Sequence, residues 1–124
     1  MSVILLFGIN EKKKKQIEKV ATIINAKVCP VSLSDYNQKL GSLAGIIGFS
    51  RTKGTYIGPG FSMEMMVFSG INSKMLDVFL DEYKKENIEN VKLKAVLTES
   101  NIGWTAEQLF REILKEHMQM KSRK

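Results

Sequence analysis

The sequence predicts a small α/β domain. It has four parallel strands in the order 2-1-3-4, with helices on both faces, of the Rossmann-like or flavodoxin-like kind. Three observations lead there. Four short apolar runs are each followed by a segment of polar or helical character: Val3 to Phe7, Lys27 to Val31, Met65 to Phe68 and Val91 to Leu97. Strand and helix in alternation imply a parallel sheet with right-handed crossovers. The first and third runs are continuously apolar, as strands covered on both faces are. Placing these two in the middle leaves the Pro30 strand at an edge, where a residue without an N–H is tolerated.

The elements follow in order. After Val3 to Phe7, Gly8 ends the strand and Asn10 can cap the next helix. In that helix Ile17, Val20, Ala21 and Ile24 form one apolar stripe. Lys12, Lys13, Lys14 and Lys15 crowd its first turns, where the helix dipole prefers anions. A cationic helix start is mildly costly, and Glu11 and Glu18 offset it only in part. "KVCPV" is the edge strand, and a short helix starting at Ser34 or Asp35 runs through "YNQKLGSL". Residues 45–63 hold five of the nine glycines, Pro59, Arg51 and Lys53 among scattered apolar residues. They read as a long, flexible loop with a fragment of hairpin, of the kind that is often functional. Asn72 or Ser73 starts the next helix, whose stripe is Met75, Leu76, Phe79, Leu80 and Tyr83. Thr105 opens the last helix, with Gln108 placed to complete a capping box. Its stripe is Leu109, Phe110, Ile113 and Leu114, and 119–124 is a basic tail.

The totals bound the function. At 124 residues the chain reads as one domain, 1–124, able to fold without staples. With 44% hydrophobic and 26% charged residues it has the composition of a soluble globular protein. A single cysteine, Cys29, allows neither an internal disulfide nor a CxxC site. The first residues lack a basic n-region, and the apolar run after them is too short to span a membrane. The expected location is cytoplasmic. The net charge of +6 gathers in Lys12 to Lys15 and in the tail. It admits an anionic partner, but basic residues alone read no bases.

One turn is written twice: "LLFGINEKK" from Leu5 and "VFSGINSKM" from Val67. In an all-parallel sheet Gly8 and Gly70 would sit side by side at the carboxyl ends of adjacent strands. Two helix N-termini would then face one crevice, and open α/β sheets bind ligands at such a switch point. The expected contact surface is Gly8, Asn10, Gly70 and Asn72, with Thr98, Asn101 and Trp104 further along the same rim. The same pattern also serves purely local needs, a sharp turn and a helix cap. No GxGxxG or GxxxxGK[ST] accompanies it.

Catalytic signatures are missing. His117 is the only histidine and lies near the end of the last helix. Cys29 lies within a strand rather than at an activating helix N-terminus. Ser69-Gly70 is not a GxSxG elbow. The carboxylates form solvated helix faces. No cofactor and no metal is expected.

The stretch "LKAVLTESNIGWTAEQLFREI", together with "VILLFGI", "NQKLGSL" and "MVFSGI", resembles a family of small bacterial proteins classed as a domain of unknown function. Leu93, Lys94, Ala95, Val96, Leu97, Thr98, Asn101 and Trp104 carry the likeness. Glu99-Ser100 stands where that family often has Pro-Thr. The resemblance implies a small α/β domain and transfers no catalytic residue.

The leading expectation is therefore a non-catalytic binding or regulatory module whose rim contacts a protein or a small anionic ligand. A second is weak nucleic-acid binding through Lys12 to Lys15, Arg51, Lys53 and the tail. A third is an enzyme completed when the 45–63 loop closes or a second copy docks.

Overall fold

The computed structural model describes residues 1–122. The chain runs β1 (Val3–Phe7), α1 (Glu11–Ala21), β2 (Lys27–Pro30), α2 (Leu40–Leu43), β3 (Met65–Ser69), α3 (Ser73–Lys85), β4 (Leu93–Val96) and α4 (Ala106–Ser122). Single 3-10 turns stand at Thr22–Ile24 and Leu33–Asp35. The strand order is β2-β1-β3-β4, as the sequence predicts. The direction is not. β1 pairs with β2 and β3 with β4 in parallel, but β1 and β3 are antiparallel, so the sheet is mixed. The predicted short helix is also broken, into the turn at Leu33–Asp35 and the four-residue α2. Of the expected basic tail, Arg123 and Lys124 lie outside the described residues.

The reversal has a physical cause in residues 45–63. α2 carries the chain toward the amino end of β1, where Ile46 shares a cleft with Met1 and Gly70. An all-parallel sheet would start β3 there. Instead the chain travels back to the carboxyl end of β1, where Phe61 meets Phe7 at 5.8 Å between ring centroids. This return strap carries neither helix nor strand, yet its anchors are specific. The buried Gln38 side chain clamps Thr52 in both directions, Nε2 to Thr52 O at 2.9 Å and Thr52 N to Oε1 at 2.7 Å. Tyr56 N donates to Ser34 O at 3.0 Å. Phe61 is sandwiched between Tyr36 (4.2 Å) and Phe110 (4.1 Å).

Both sheet faces are covered, which explains the continuous apolar runs of β1 and β3. Ile4, Leu6, Met66 and Phe68 pack with Ile17 and Val20 of α1 and Phe79 and Tyr83 of α3. Val3, Leu5, Phe7, Met65 and Val67 pack with Tyr36, Leu40, Leu109 and Phe110, and with the strap's Tyr56 and Phe61.

The doubled turn belongs to a doubled fold. β1-α1-β2-α2 and β3-α3-β4-α4 are related by an approximate two-fold axis normal to the sheet. It passes between Leu5 and Val67, with Val3↔Ser69 and Phe7↔Met65 on either side. The isolated antiparallel bridge Lys39↔Thr105 lies on the same axis. Hydrogen bonds come in matching pairs across it. Leu40 N to Trp104 O (2.8 Å) answers Ala106 N to Gln38 O (3.2 Å), and Gly41 N to Ile102 O (3.0 Å) answers Glu107 N to Tyr36 O (3.2 Å). Gly8 and Gly70 adopt φ of 70° and 69°. Asn25 and Asn87, at 53° and 55°, end the first and third helical segments in the left-handed conformation that asparagine tolerates. Beyond Ala26 and Ile88 the match shifts, because residues 89–92 have no counterpart in the first half.

Candidate functional site

The antiparallel centre splits the expected rim. Gly8 and Asn10 lie at the carboxyl end of β1. Gly70 and Asn72 lie at the opposite end of the sheet, and Thr98 and Asn101 join them there because β4 runs with β3. Trp104 belongs to neither end. Its carbonyl bonds Leu40 near the two-fold axis on the α4 face, and its half-exposed ring lines a groove with Gln108, Arg111 and Glu112.

The polar groups of these turns are engaged by their own chain. Asn10 Oδ1 accepts from Lys13 N and Asn72 Oδ1 from Met75 N, both at 2.8 Å, so each caps its helix. Asn101 Oδ1 accepts from Thr98 N at 2.8 Å, and its Nδ2 donates to Val96 O at 3.2 Å. The capping box also forms, with Thr105 N to Gln108 Oε1 at 2.9 Å and Gln108 N to Thr105 Oγ1 at 3.1 Å.

A charged cluster does assemble, at the β1 end alone. Lys13 is only 4% exposed. A buried ammonium needs partners, and its Nζ lies 2.6 Å from Glu64 Oε1 and 3.4 Å from both Glu89 Oε1 and Asn90 O. Tyr83 donates its hydroxyl to Glu89 O at 2.5 Å. Lys94 Nζ donates to Asn90 Oδ1 at 3.1 Å. Burial, then the nearby Lys13 and Lys84, hold the Lys94 amine below its usual range. At the other end of the sheet the two-fold equivalents of Lys13 and Glu64 are Met75 and Ser2, and the segment bearing Glu89 and Asn90 is absent. The fold is therefore built once without this cluster.

Burial, reinforced by Glu64 and Glu89, pushes the Tyr83 phenol up to about 12 from 10.0. The raised value means the folded state holds its proton where the unfolded chain releases it. Its contribution is complete below pH 10 and is lost as pH rises through about 12. Chemical denaturation of the wild type should show stability falling from pH 10 to 12, and Tyr83→Phe should flatten that decline. An unchanged slope in the variant would contradict the assignment.

Above the cluster opens a cleft of about 310 Å³ lined by Asn10, Lys12, Lys13, Gln16, Asn87 and Glu89. Lys14 pairs with Glu11 at 3.5 Å. Lys12 and Lys15 are exposed, and among the described residues no ion pair forms with either. Asn10 caps only the Lys13 N–H, so the N–H groups of Glu11 and Lys12 remain directed out of the helix start. The arrangement suits an anion. The sequence reading missed Glu64, Tyr83, Glu89, Asn90 and Lys94. One signal was present: four lysines on one helical turn cannot all point to solvent.

Arg51 lies on the far face of the sheet, where it pairs with Asp35 at 2.7 Å. It and Lys53 form no continuous surface with the lysines of α1. Cys29 packs at the edge of the α4-side core. Among the described residues no group of three or more His, Cys, Asp or Glu side chains stands ready to hold a metal ion. No helix there is long and apolar enough to cross a membrane.

Residues 64–120 match the family model described as a domain of unknown function (DUF3783). The chain is similar to an uncharacterised domain family over that span. The match opens at the residue before β3 and ends within α4, so it covers the second βαβα half. No curated protein and no solved structure matches the chain.

Proposed function

We propose that the chain is a non-catalytic binding module that takes a small anionic group at the start of α1. The observation that carries this reading is the exposed, unpaired Lys12 lining the cleft, with the exposed Lys15 one turn further along α1, while Lys13 turns inward and is neutralised by Glu64 and Glu89. Free N–H groups and the positive end of the helix dipole favour the same charge. A cationic first turn costs stability in the empty protein, and a bound anion relieves that cost. The doubled frame narrows the comparison: at the opposite end of the sheet Lys74 stands for Lys12, but Met75 and Asp77 stand for Lys13 and Lys15, so the second helix start is less cationic.

Titration with inorganic pyrophosphate by calorimetry tests it. Each exposed lysine contributes about 1 kcal/mol to an anion at contact distance in water. The Lys12→Ala/Lys15→Ala variant should therefore bind at least tenfold more weakly with its melting temperature little changed. Equal affinity in variant and wild type would overturn the reading. Binding of a single-stranded oligonucleotide that exceeds pyrophosphate binding and falls steeply with salt would favour the nucleic-acid alternative.

A further inference from the structure

The two halves provide an internal control for what the fold requires at its edges. β2 and β4 are the two edge strands. Val31 N donates to Leu6 O at 2.9 Å and Leu97 N to Phe68 O at 2.8 Å. Alternation along each parallel ladder then turns the backbone of Val28 and Pro30 outward on β2, and that of Lys94 and Val96 outward on β4. Natural proteins blunt such edges with proline and charge. The β2 edge is blunted in this way. Pro30 removes one outward N–H, and the flank of α1 beside it carries Lys14 and Glu18. Their two-fold equivalents beside β4 are Val96, Leu76 and Leu80. The fold thus tolerates charge and proline at these positions, yet the second half keeps them apolar and leaves the N–H in place.

The result is a groove of about 160 Å³ lined by Phe68, Leu76, Leu80, Lys94, Ala95 and Val96, running along the open edge of β4. Val96 is 42% exposed. The charges acting on Lys94 in the groove wall are those of Lys13 and Lys84, while Asp77 and Asp81 follow Leu76 and Leu80 on α3. Lys94 is bonded to the neutral Asn90 amide rather than to a carboxylate, and Lys84 is its electrostatic neighbour.

We propose that the β4 edge receives an extended, acidic segment of a partner protein by strand addition. Main-chain bonds form with Lys94 and Val96, one aliphatic side chain enters the groove, and carboxylates alternate toward Lys84 and Lys94. A second copy fits poorly, because pairing β4 with β4 would bring two sets of these lysines together.

The probe is an acetylated, amidated heptapeptide alternating glutamate and valine, added to the isotope-labelled full chain. The expected result is saturable binding with the largest amide shifts at Lys94 and Val96. Val96→Pro, which copies Pro30, should weaken binding at least tenfold, and Leu80→Gln at least threefold. The second variant keeps the test decisive if the first fails to fold. Absence of shifts at β4 up to millimolar peptide, or wild-type affinity in Leu80→Gln, would overturn the proposal. Equal binding of a lysine–valine peptide would overturn the acidic assignment. A concentration-dependent dimer that Val96→Pro abolishes would give the edge to a second copy and overturn it as well.

Discussion

Gly70→Ala should destabilise the protein by about 2–4 kcal/mol, whereas Gly8→Ala should cost only about 1–2 kcal/mol. Both glycines hold the left-handed conformation, at φ 69° and 70°, so both substitutions incur the same backbone strain. They differ in what a Cβ meets. At Gly8 nothing lies within 4 Å. At Gly70 the Cβ runs into the carbonyl of Met1, and a backbone atom cannot rotate away. Relief requires the Met1–Ser2 segment ahead of β1 to move, which also strains the Ser2 Oγ to Gly70 O bond of 3.0 Å. Thermal unfolding of the two variants should separate them clearly, because each kcal/mol moves the midpoint of a domain this size by about 3–5 °C. Equal melting temperatures would show that the two turns are not packed as described.

Phe61→Ala should cost roughly 3 kcal/mol, the low end of the range for such truncations because the ring is not fully buried. Phe61 fills the space between Tyr36 and Phe110 and anchors the strap where it reaches β3. Its loss leaves a gap at the junction of strap, sheet and α4. The control is Ile57→Ala in the same strap. Ile57 is 95% exposed and should change stability by no more than about 0.5 kcal/mol. Amide exchange should also accelerate at Thr52 and Tyr56 in Phe61→Ala. If both variants unfold like the wild type, residues 45–63 are not part of the packed structure.

These two positions also show what the sequence makes legible. Strand order, helix caps and buried stripes are local or periodic properties. Asn10, Asn72, Thr105 and Gln108 act as caps as their spacing implies, and Pro30 stands on an edge strand. The direction of β3 is not local. It depends on whether residues 45–63 bulge out as a loop or cross the sheet as a strap, and that turns on pairings such as Gln38 with Thr52 and Phe61 with Tyr36. Glycine and proline content suggests irregular backbone but not where the segment travels. The misplaced rim follows from that one choice, since a parallel centre would set Gly8 beside Gly70. The charged cluster was hidden for a related reason. Lys13, Glu64, Tyr83, Glu89 and Lys94 are scattered along the chain and converge only in the fold. The repeated Gly-Ile-Asn was the visible part of a larger repeat. Its other members, such as Asn25 with Asn87 and Lys39 with Thr105, share geometry without a common flanking sequence.

One end of the doubled frame is proposed to bind an anion and the other is not. The most direct measurement is an amide chemical-shift titration of the full chain with inorganic pyrophosphate. Saturable shifts are expected at Ile9 to Lys12 and at Asn87 and Glu89, with Ile71 to Lys74 unmoved. Equal shifts at both helix starts, or shifts at neither, would contradict it.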